Sequence, residues 1–223
     1  MEIKNKTVII TGGTKGLGKA MAMAFKNEGA NVVVCAKEEN EFENLTKDGI
    51  TAIKADVTKE DELQNLLDIA KEKFGQVDIW VNNAGVWLAH AFAEDFDMDK
   101  VKGMFEVNVF GTMNGSRVAL RDMKKSGTGT IVNIISDSAL VGKSMSSTYS
   151  ASKWAVNGFT KSIREENKNI SIISIYPGAI KTNIFGEDKP EKFDTFMEPD
   201  YVADIVVGNL KKEKPEEELI IQE

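Results

Sequence analysis

The chain has 223 residues, 28% of them charged and 42% hydrophobic, enough for one domain with a sizeable core. A net charge of −7 argues against a nucleic-acid-binding surface. The single Cys35 excludes an intramolecular disulfide, and there is no basic-then-apolar leader and no apolar run of membrane-spanning length, so a cytoplasmic protein with no membrane partner is expected.

Lys6 to Thr11 reads as a short buried strand rich in β-branched residues. It empties into Gly12-Gly13-Thr14-Lys15-Gly16-Leu17-Gly18, and a helical pattern runs from Lys19 to Glu28. Strand, glycine-rich turn and helix together put a phosphate on a helix N-terminus, where free N–H groups and the dipole favour an anion. Gly12 would allow the tight turn, Gly16 the approach to a pyrophosphate and Gly18 close helix–strand packing. The spacing is Gly-x-x-x-Gly-x-Gly, not the Gly-x-Gly-x-x-Gly of the usual dinucleotide fingerprint.

Asn31 to Ala36 is a second buried strand, so residues 6–36 form a βαβ unit. At its tip, where a dinucleotide's adenosine ribose belongs, stand Ala36 and Lys37, with Lys15 in reach from the glycine loop. Glu38 and Glu39 are expected to open the next helix. Two lysines and no acid at the tip favour a 2′-phosphate, hence NADP(H) over NAD(H). The alternative is that both lysines are merely solvated.

Strands follow at Ile50–Ala55, Val77–Val81, Thr130–Ile135, Ile170–Tyr176 and Leu219–Ile221. Between them run helical stretches at Lys59–Lys73, with Leu63, Leu66, Leu67 and Ala70 on one stripe, and at Met98–Lys125. The alternation predicts a single-domain α/β fold over 1–223, a doubly wound (Rossmann) parallel sheet of about seven strands with helices on both faces. Ligands bind such sheets beyond the carboxyl ends of the strands. Gly12, Lys37, Asp56, Asn83, Ser136 and Pro177 all fall there, on one rim. Two irregular connections, Val86–Asp97 and Asn183–Glu198, leave the same rim and are expected to border a substrate pocket. The mixed-charge run Lys211–Glu218 reads as solvated surface.

Ser147-Thr148-Tyr149-Ser150-Ala151-Ser152-Lys153 reads as the opening of a helix that Ser147 or Thr148 could cap, continuing to about Asn167. Tyr149 and Lys153, four apart, share one face. A protonated lysine beside a phenol favours the phenolate and pulls the tyrosine pKa down from about 10, the tuning a general acid/base needs near neutral pH. The pair alone recurs by chance on many helices; the rim upstream gives it weight.

These residues together resemble the short-chain dehydrogenase/reductase family over nearly the whole chain. The matches are Thr11-Gly12-(x)3-Gly16-x-Gly18, Asp56, Asn82-Asn83-Ala84-Gly85, Asn108, Ser136, Tyr149-(x)3-Lys153 and Pro177-Gly178-(x)3-Thr182, in the family's order and at its intervals. The resemblance implies that Tyr149 is the acid/base, that Lys153 lowers its pKa and bonds the nicotinamide ribose, and that Ser136 polarises the substrate oxygen, with Ser138 a rival. It makes Asn108 the helix-interrupting asparagine of a proton relay; a capping or packing asparagine fits the same position. It assigns cofactor contacts to Gly12, Thr14, Lys15, Gly16, Leu17, Gly18 and Lys37, to Asp56 and Val57 beside the adenine, and to Asn83, Ala84 and Gly85. Pro177, Gly178, Ile180 and Thr182 would complete the nicotinamide end, and no metal is implied.

The activity so implied is an NADP(H)-dependent oxidoreductase acting on a small carbonyl or secondary alcohol. The alternatives are a 3-oxoacyl-thioester (acyl-carrier-protein) reductase, against which the missing basic patch weighs, and a catalytically silent dinucleotide sensor. Trp87, His90, Phe92, Phe96 and Phe185 suggest an aromatic-bordered pocket, with His90 a bland loop residue. A homodimer through the helices bearing Asn108 and Tyr149 is expected. A tetramer is the alternative, although the glycine-rich tail that often builds it is missing.

Overall fold

Alternate residues of each apolar run pack to opposite sides, and this turns the runs into strands covered on both faces. β1 (Thr7–Thr11) sends Val8 and Ile10 into one core and Ile9 into the other, and β2 (Asn31–Ala36) splits Val32 and Val34 from Val33 and Cys35 in the same way. In the computed structural model, which describes residues 1–222, these two strands are joined by β3 (Thr51–Lys54), β4 (Ile79–Asn82), β5 (Thr130–Ile134), β6 (Ser171–Pro177) and β7 (Glu218–Ile221). Every pairing is parallel and the order is β3-β2-β1-β4-β5-β6-β7. The expected seven-strand doubly wound sheet is the fold. The order reverses between β1 and β4, which opens a crevice at their carboxyl ends.

Helices α1 (Gly16–Asn27) and α7 (Pro199–Lys211) lie together on one face, with the short α2 (Phe42–Lys47) beside β3. On the other face α3 (Glu60–Phe74) packs beside α5 (Gly111–Ser126), which neighbours α6 (Ser147–Glu166). The leucine stripe of α3 is buried as its period requires, and each leucine contributes about 2 kcal/mol. Between β4, β5, α5 and α6 runs a closed polar chain. Trp80 Nε1 donates to Asn82 Oδ1 (2.8 Å), Asn82 Nδ2 donates to Ser116 Oγ (3.0 Å) and Asn133 Oδ1 (2.8 Å), and Asn133 Nδ2 donates to Thr160 Oγ1 (2.9 Å). All five residues are buried, and the bonding satisfies groups that would otherwise destabilise the core.

Several elements differ from their expected form. α1 begins at Gly16, not Lys19, because glycines carry no periodic signal and yet enter the helix. Glu38 and Glu39 do not open a helix: they lie in the connection, where Glu39 pairs with Lys54 (3.2 Å), and α2 starts at Phe42. The helix expected over Met98–Lys125 runs as α4 (Met98–Phe105), a wide π turn at Glu106–Phe110, and α5. Asn108 sits inside that turn. Neither Ser147 nor Thr148 is the cap of α6; both lie in its first turn, and Ser146 precedes it without a side-chain cap bond. Helix α7, opened by Pro199 at its first position, is absent from the sequence-based expectation. The charged run after it is exposed at most positions but pinned, with Asn209 Nδ2 donating to Glu216 O (3.0 Å) and Glu216 N donating to Asn209 Oδ1 (3.0 Å).

Candidate active site

The crevice between β1 and β4 is built by hydrogen bonds that tie the two strand ends together. Thr11 Oγ1 accepts from the N–H of Asn83 (3.0 Å) and of Ala84 (3.1 Å), while Asn83 Nδ2 donates to the carbonyls of Thr11 (2.9 Å) and Gly12 (3.1 Å). Asn83 thus holds the glycine loop through its side chain, a structural part the motif alone does not disclose. Gly12 has φ +63°, and a Cβ there would sit 2.9 Å from Ala84 Cα. A Cβ on Gly18 would sit 2.2 Å from the Gly12 carbonyl oxygen, so the packing role read for it holds. The first turn of α1 has no side-chain cap, leaving its N–H groups directed at the crevice. Thr182 comes to the same place, its Cβ 3.2 Å from where a Gly16 side chain would be, with its Oγ1 accepting from Ile184 N (3.5 Å). Ile180 bridges in parallel to Met197.

At the tip of β2 the charges are arranged differently from the simple expectation. Lys37 is not free: its Nζ lies 3.2 Å from Asp56 Oδ2. Asp56 also accepts from Thr58 N (3.0 Å) and Thr58 Oγ1 (2.8 Å), and these contacts hold its carboxyl below the usual range despite opposing burial. Lys15 is exposed and makes no ion pair among the described residues. Val57 is buried, and its carbonyl accepts from Asn114 Nδ2 (3.1 Å), a contact from α5 that no local motif signals.

Four of the singled-out residues converge where β5 ends and α6 begins. Ser136 acts on the Tyr149 phenol to lower its pKa, and Lys153 Nζ lies 5.7 Å from the centre of the Tyr149 ring. Lys153 is buried and donates to the Ile134 carbonyl (3.2 Å). Asn108 Oδ1 accepts from Val86 N (2.8 Å), and its Nδ2 donates to Val86 O (2.9 Å) and Ser152 Oγ (3.3 Å). Ser138 is no rival to Ser136 in this arrangement: it is buried, and its N–H donates to Ser136 Oγ (3.1 Å).

The electrostatics correct one expectation. Burial pushes the Tyr149 phenol up to about 12, with the Asp137 charge adding to the rise and only the Ser136 bond opposing it. Burial likewise pulls the Lys153 ammonium down to about 8. Desolvation therefore outweighs the lysine's pull on the phenol. Lys153 thus gives up its proton near pH 8, well before Tyr149 does.

The irregular connections enclose a cavity of about 440 Å³ lined by Trp87, Phe96, Ile184 and Phe185 among others. Trp87, Phe185, Phe193 and Phe196 meet through ring contacts, with centroids 5.1–6.0 Å apart. Two of the aromatics read as pocket residues lie outside the lining: Phe92 is exposed, and His90 packs edge-on against Trp87. Phe193 and Phe196, which sequence reasoning missed, buttress Phe185 instead.

With this geometry, residues 6–192 match the family model described as short chain dehydrogenase. The chain belongs to that family. Within it, an uncharacterised oxidoreductase of Staphylococcus aureus is 31% identical over 218 residues, covering 95% of this chain and 94% of the relative. An alcohol dehydrogenase from the archaeon Thermococcus sibiricus, solved with 5-hydroxy-NADP, superposes with a TM-score of 0.87 at 25% identity, covering 97% and 95% of the two chains. A 3-ketoacyl-(acyl-carrier-protein) reductase from Brucella melitensis, solved with NADH, gives 0.91 at 26% identity, covering 98% and 97%. This short-chain dehydrogenase is an oxidoreductase. Among its described residues no cluster of three or more His, Cys, Asp or Glu could hold a metal, and no helix is long and apolar enough to cross a membrane.

Proposed function

We propose that the protein is an NADP(H)-dependent reductase or dehydrogenase of small carbonyls and secondary alcohols, working as one unit over 1–223. The observation that carries this reading is the meeting of Ser136, Tyr149 and Lys153 beside an uncapped helix N-terminus at the sheet's switch point. The crevice fits a dinucleotide, because Gly12 and Gly18 leave backbone where a Cβ would intrude. Gly12, Thr14, Lys15, Gly16, Leu17 and Gly18 would hold its pyrophosphate side, and Asp56 and Val57 the adenine. Asn83, Ala84, Gly85, Pro177, Gly178, Ile180 and Thr182 would line the rest. Lys15 and Lys37 favour the 2′-phosphate, and the neighbours solved with NADP-type and NADH ligands leave both cofactors within the family's range.

A bound nicotinamide supplies or accepts a hydride at the substrate's carbinol carbon. Tyr149 gives its phenolic proton to the forming alkoxide in reduction and takes one in oxidation. Ser136 holds that oxygen as charge develops. Lys153, charged below about pH 8, stabilises the phenolate left behind and would bond the nicotinamide ribose. Asn108 fixes the strand-end segment at Val86 and would order the relay returning the proton.

The cavity lining carries Asp95, Asp97, Glu187 and Asp188 against Lys100. That balance supports a small neutral substrate over an anionic acyl carrier, although the Brucella reductase keeps the 3-oxoacyl thioester as the second reading. Retention of both Tyr149 and Lys153 weighs against a silent sensor. Phe110 and Trp154, half-exposed on neighbouring helical segments, supply an apolar centre for a homodimer, with a tetramer as the alternative, and we place the enzyme in the cytoplasm. Oxidation of NADPH against a panel of aldehydes, ketones and 3-oxoacyl thioesters tests the reading. Turnover of small carbonyls is expected; preference for the thioesters selects the second reading, and no turnover of any member with NADPH or NADH overturns both.

A further inference from the structure

Among the described residues, two that are not glycine hold a positive φ: Asn5 at +63° and Met145 at +57°. Asparagine enters the left-handed region readily, and Asn5 does so in a turn whose N–H donates to the Gly29 carbonyl (2.9 Å). Methionine disfavours that conformation, so the surroundings of Met145 must hold it there. Its side chain is 39% exposed, so core packing is not what the turn serves. What the turn places is a carbonyl: Met145 O accepts from Ala91 N (3.1 Å). Ala91 lies in the connection between β4 and α4, which walls the cavity through Trp87, Ala89, Ala91 and Phe96. Asn108 holds the start of that connection by bonding both the N–H and the carbonyl of Val86, and the Asp97 cap of α4 holds its end. Between these anchors, the bond to Met145 is the one hydrogen bond joining residues 87–96 to another segment among the described residues.

On its other side Met145 adjoins α6. The next residue, Ser146, is buried; its N–H donates to the Lys143 carbonyl (3.3 Å), and its own carbonyl accepts from Ser150 N (2.9 Å). The turn is thereby fixed to the first residues of the helix that carries Tyr149 and Lys153. We propose that Met145 is a positioning residue: its left-handed turn ties the cavity wall at Ala91 to the start of the Tyr149 helix and sets where a substrate lies relative to the acid/base. The role belongs to the backbone. Glycine or asparagine at 145 preserves it, because both enter the left-handed region, and a β-branched residue, which that region disfavours most, removes it.

The inference rests on the reading of this cavity as the substrate pocket given above. Its test compares wild type with Met145→Asn, which keeps the turn, and Met145→Val, which opposes it. Hydrogen exchange of the Ala91 amide, followed by NMR, reads the tether without any substrate. KM and kcat for a carbonyl that wild type turns over read its consequence, and NADPH affinity reports that each variant is folded. In Met145→Val the Ala91 amide should exchange about tenfold faster and KM should rise about fivefold, with kcat and NADPH affinity within about twofold of wild type. Met145→Asn should match wild type throughout. An unchanged Ala91 amide or an unchanged KM in Met145→Val would overturn the proposal. So would a Met145→Asn that behaves like Met145→Val, because the side chain and not the turn would then carry the effect. A Met145→Val that no longer binds NADPH overturns it as well, since the turn would then serve the fold as a whole. Failure of the pocket reading looks different: wild type turns over no carbonyl, while the Ala91 amide still answers to the substitution.

Discussion

The two sides of the rim are made differently. The side proposed to hold the cofactor, from Thr11 to Val57 with Asn83 beside it, is fixed by hydrogen bonds between side chain and backbone and by glycines at which a Cβ would meet main chain. The side proposed to face the substrate, residues 86–97 and 183–198, is held by ring contacts among half-buried aromatics and by short 3-10 turns. Directional bonds to backbone specify one geometry, whereas ring contacts tolerate exchange of one apolar group for another. The first side is suited to a cofactor that does not vary, the second to a substrate that can.

Breaking the supports of the first side should cost most. Asn82→Leu removes the centre of the polar chain linking Trp80, Ser116 and Asn133 and strands three buried partners; a loss of about 3 kcal/mol is expected in urea unfolding. On the same side, replacing Lys15 and Lys37 together by alanine should weaken NADPH about a hundredfold and NADH little. Lys37 alone should give only about tenfold, since its ammonium is divided between Asp56 and the phosphate. Fluorescence titration of both cofactors checks this, and equal losses for NADPH and NADH would place the lysines outside the ribose site.

The seam between the sides is read by pH. The folded pKa of Lys153 lies below its unfolded value, so the buried ammonium destabilises the fold fully below pH 8 and this penalty is relieved as pH rises from 8 to the ordinary lysine range. Lys153 loses its charge as pH rises through about 8 while Tyr149 keeps its proton, so turnover should decline above pH 8 through loss of the ammonium and not of the phenolic proton, as a pH–rate profile checks. On the substrate side the effect should be smallest. Phe193→Ala, which removes one ring from a half-buried cluster, should cost about 1 kcal/mol and leave cofactor affinity unchanged, by the same unfolding and titration measurements.

The same contrast governs what the sequence discloses. Val8-Ile9-Ile10 and Val32-Val33-Val34 announce buried strands, and strict parallel alternation then fixes which residues share a rim. Gly12, Gly18, Tyr149 and Lys153 are legible because their chemistry depends on spacing within one element. Lys37 against Asp56, Asp137 against Lys143 and Asn114 against Val57 are not, for each joins partners brought together only by folding. The Tyr149 pKa is misread for the same reason: a neighbour four residues away is visible in sequence, and burial is not. Helix α7 escapes because it follows an irregular, charged connection, and only Pro199 marks its start.

Tyr149→Phe removes one oxygen from the site and nothing from the crevice, and so tests the account most directly. Wild type and variant are compared for NADPH affinity by fluorescence and for NADPH oxidation with a carbonyl that wild type turns over. The account predicts affinities within about threefold and a loss of turnover of 10³-fold or more, as removal of a central acid/base requires. Turnover near the wild-type rate in Tyr149→Phe would contradict it.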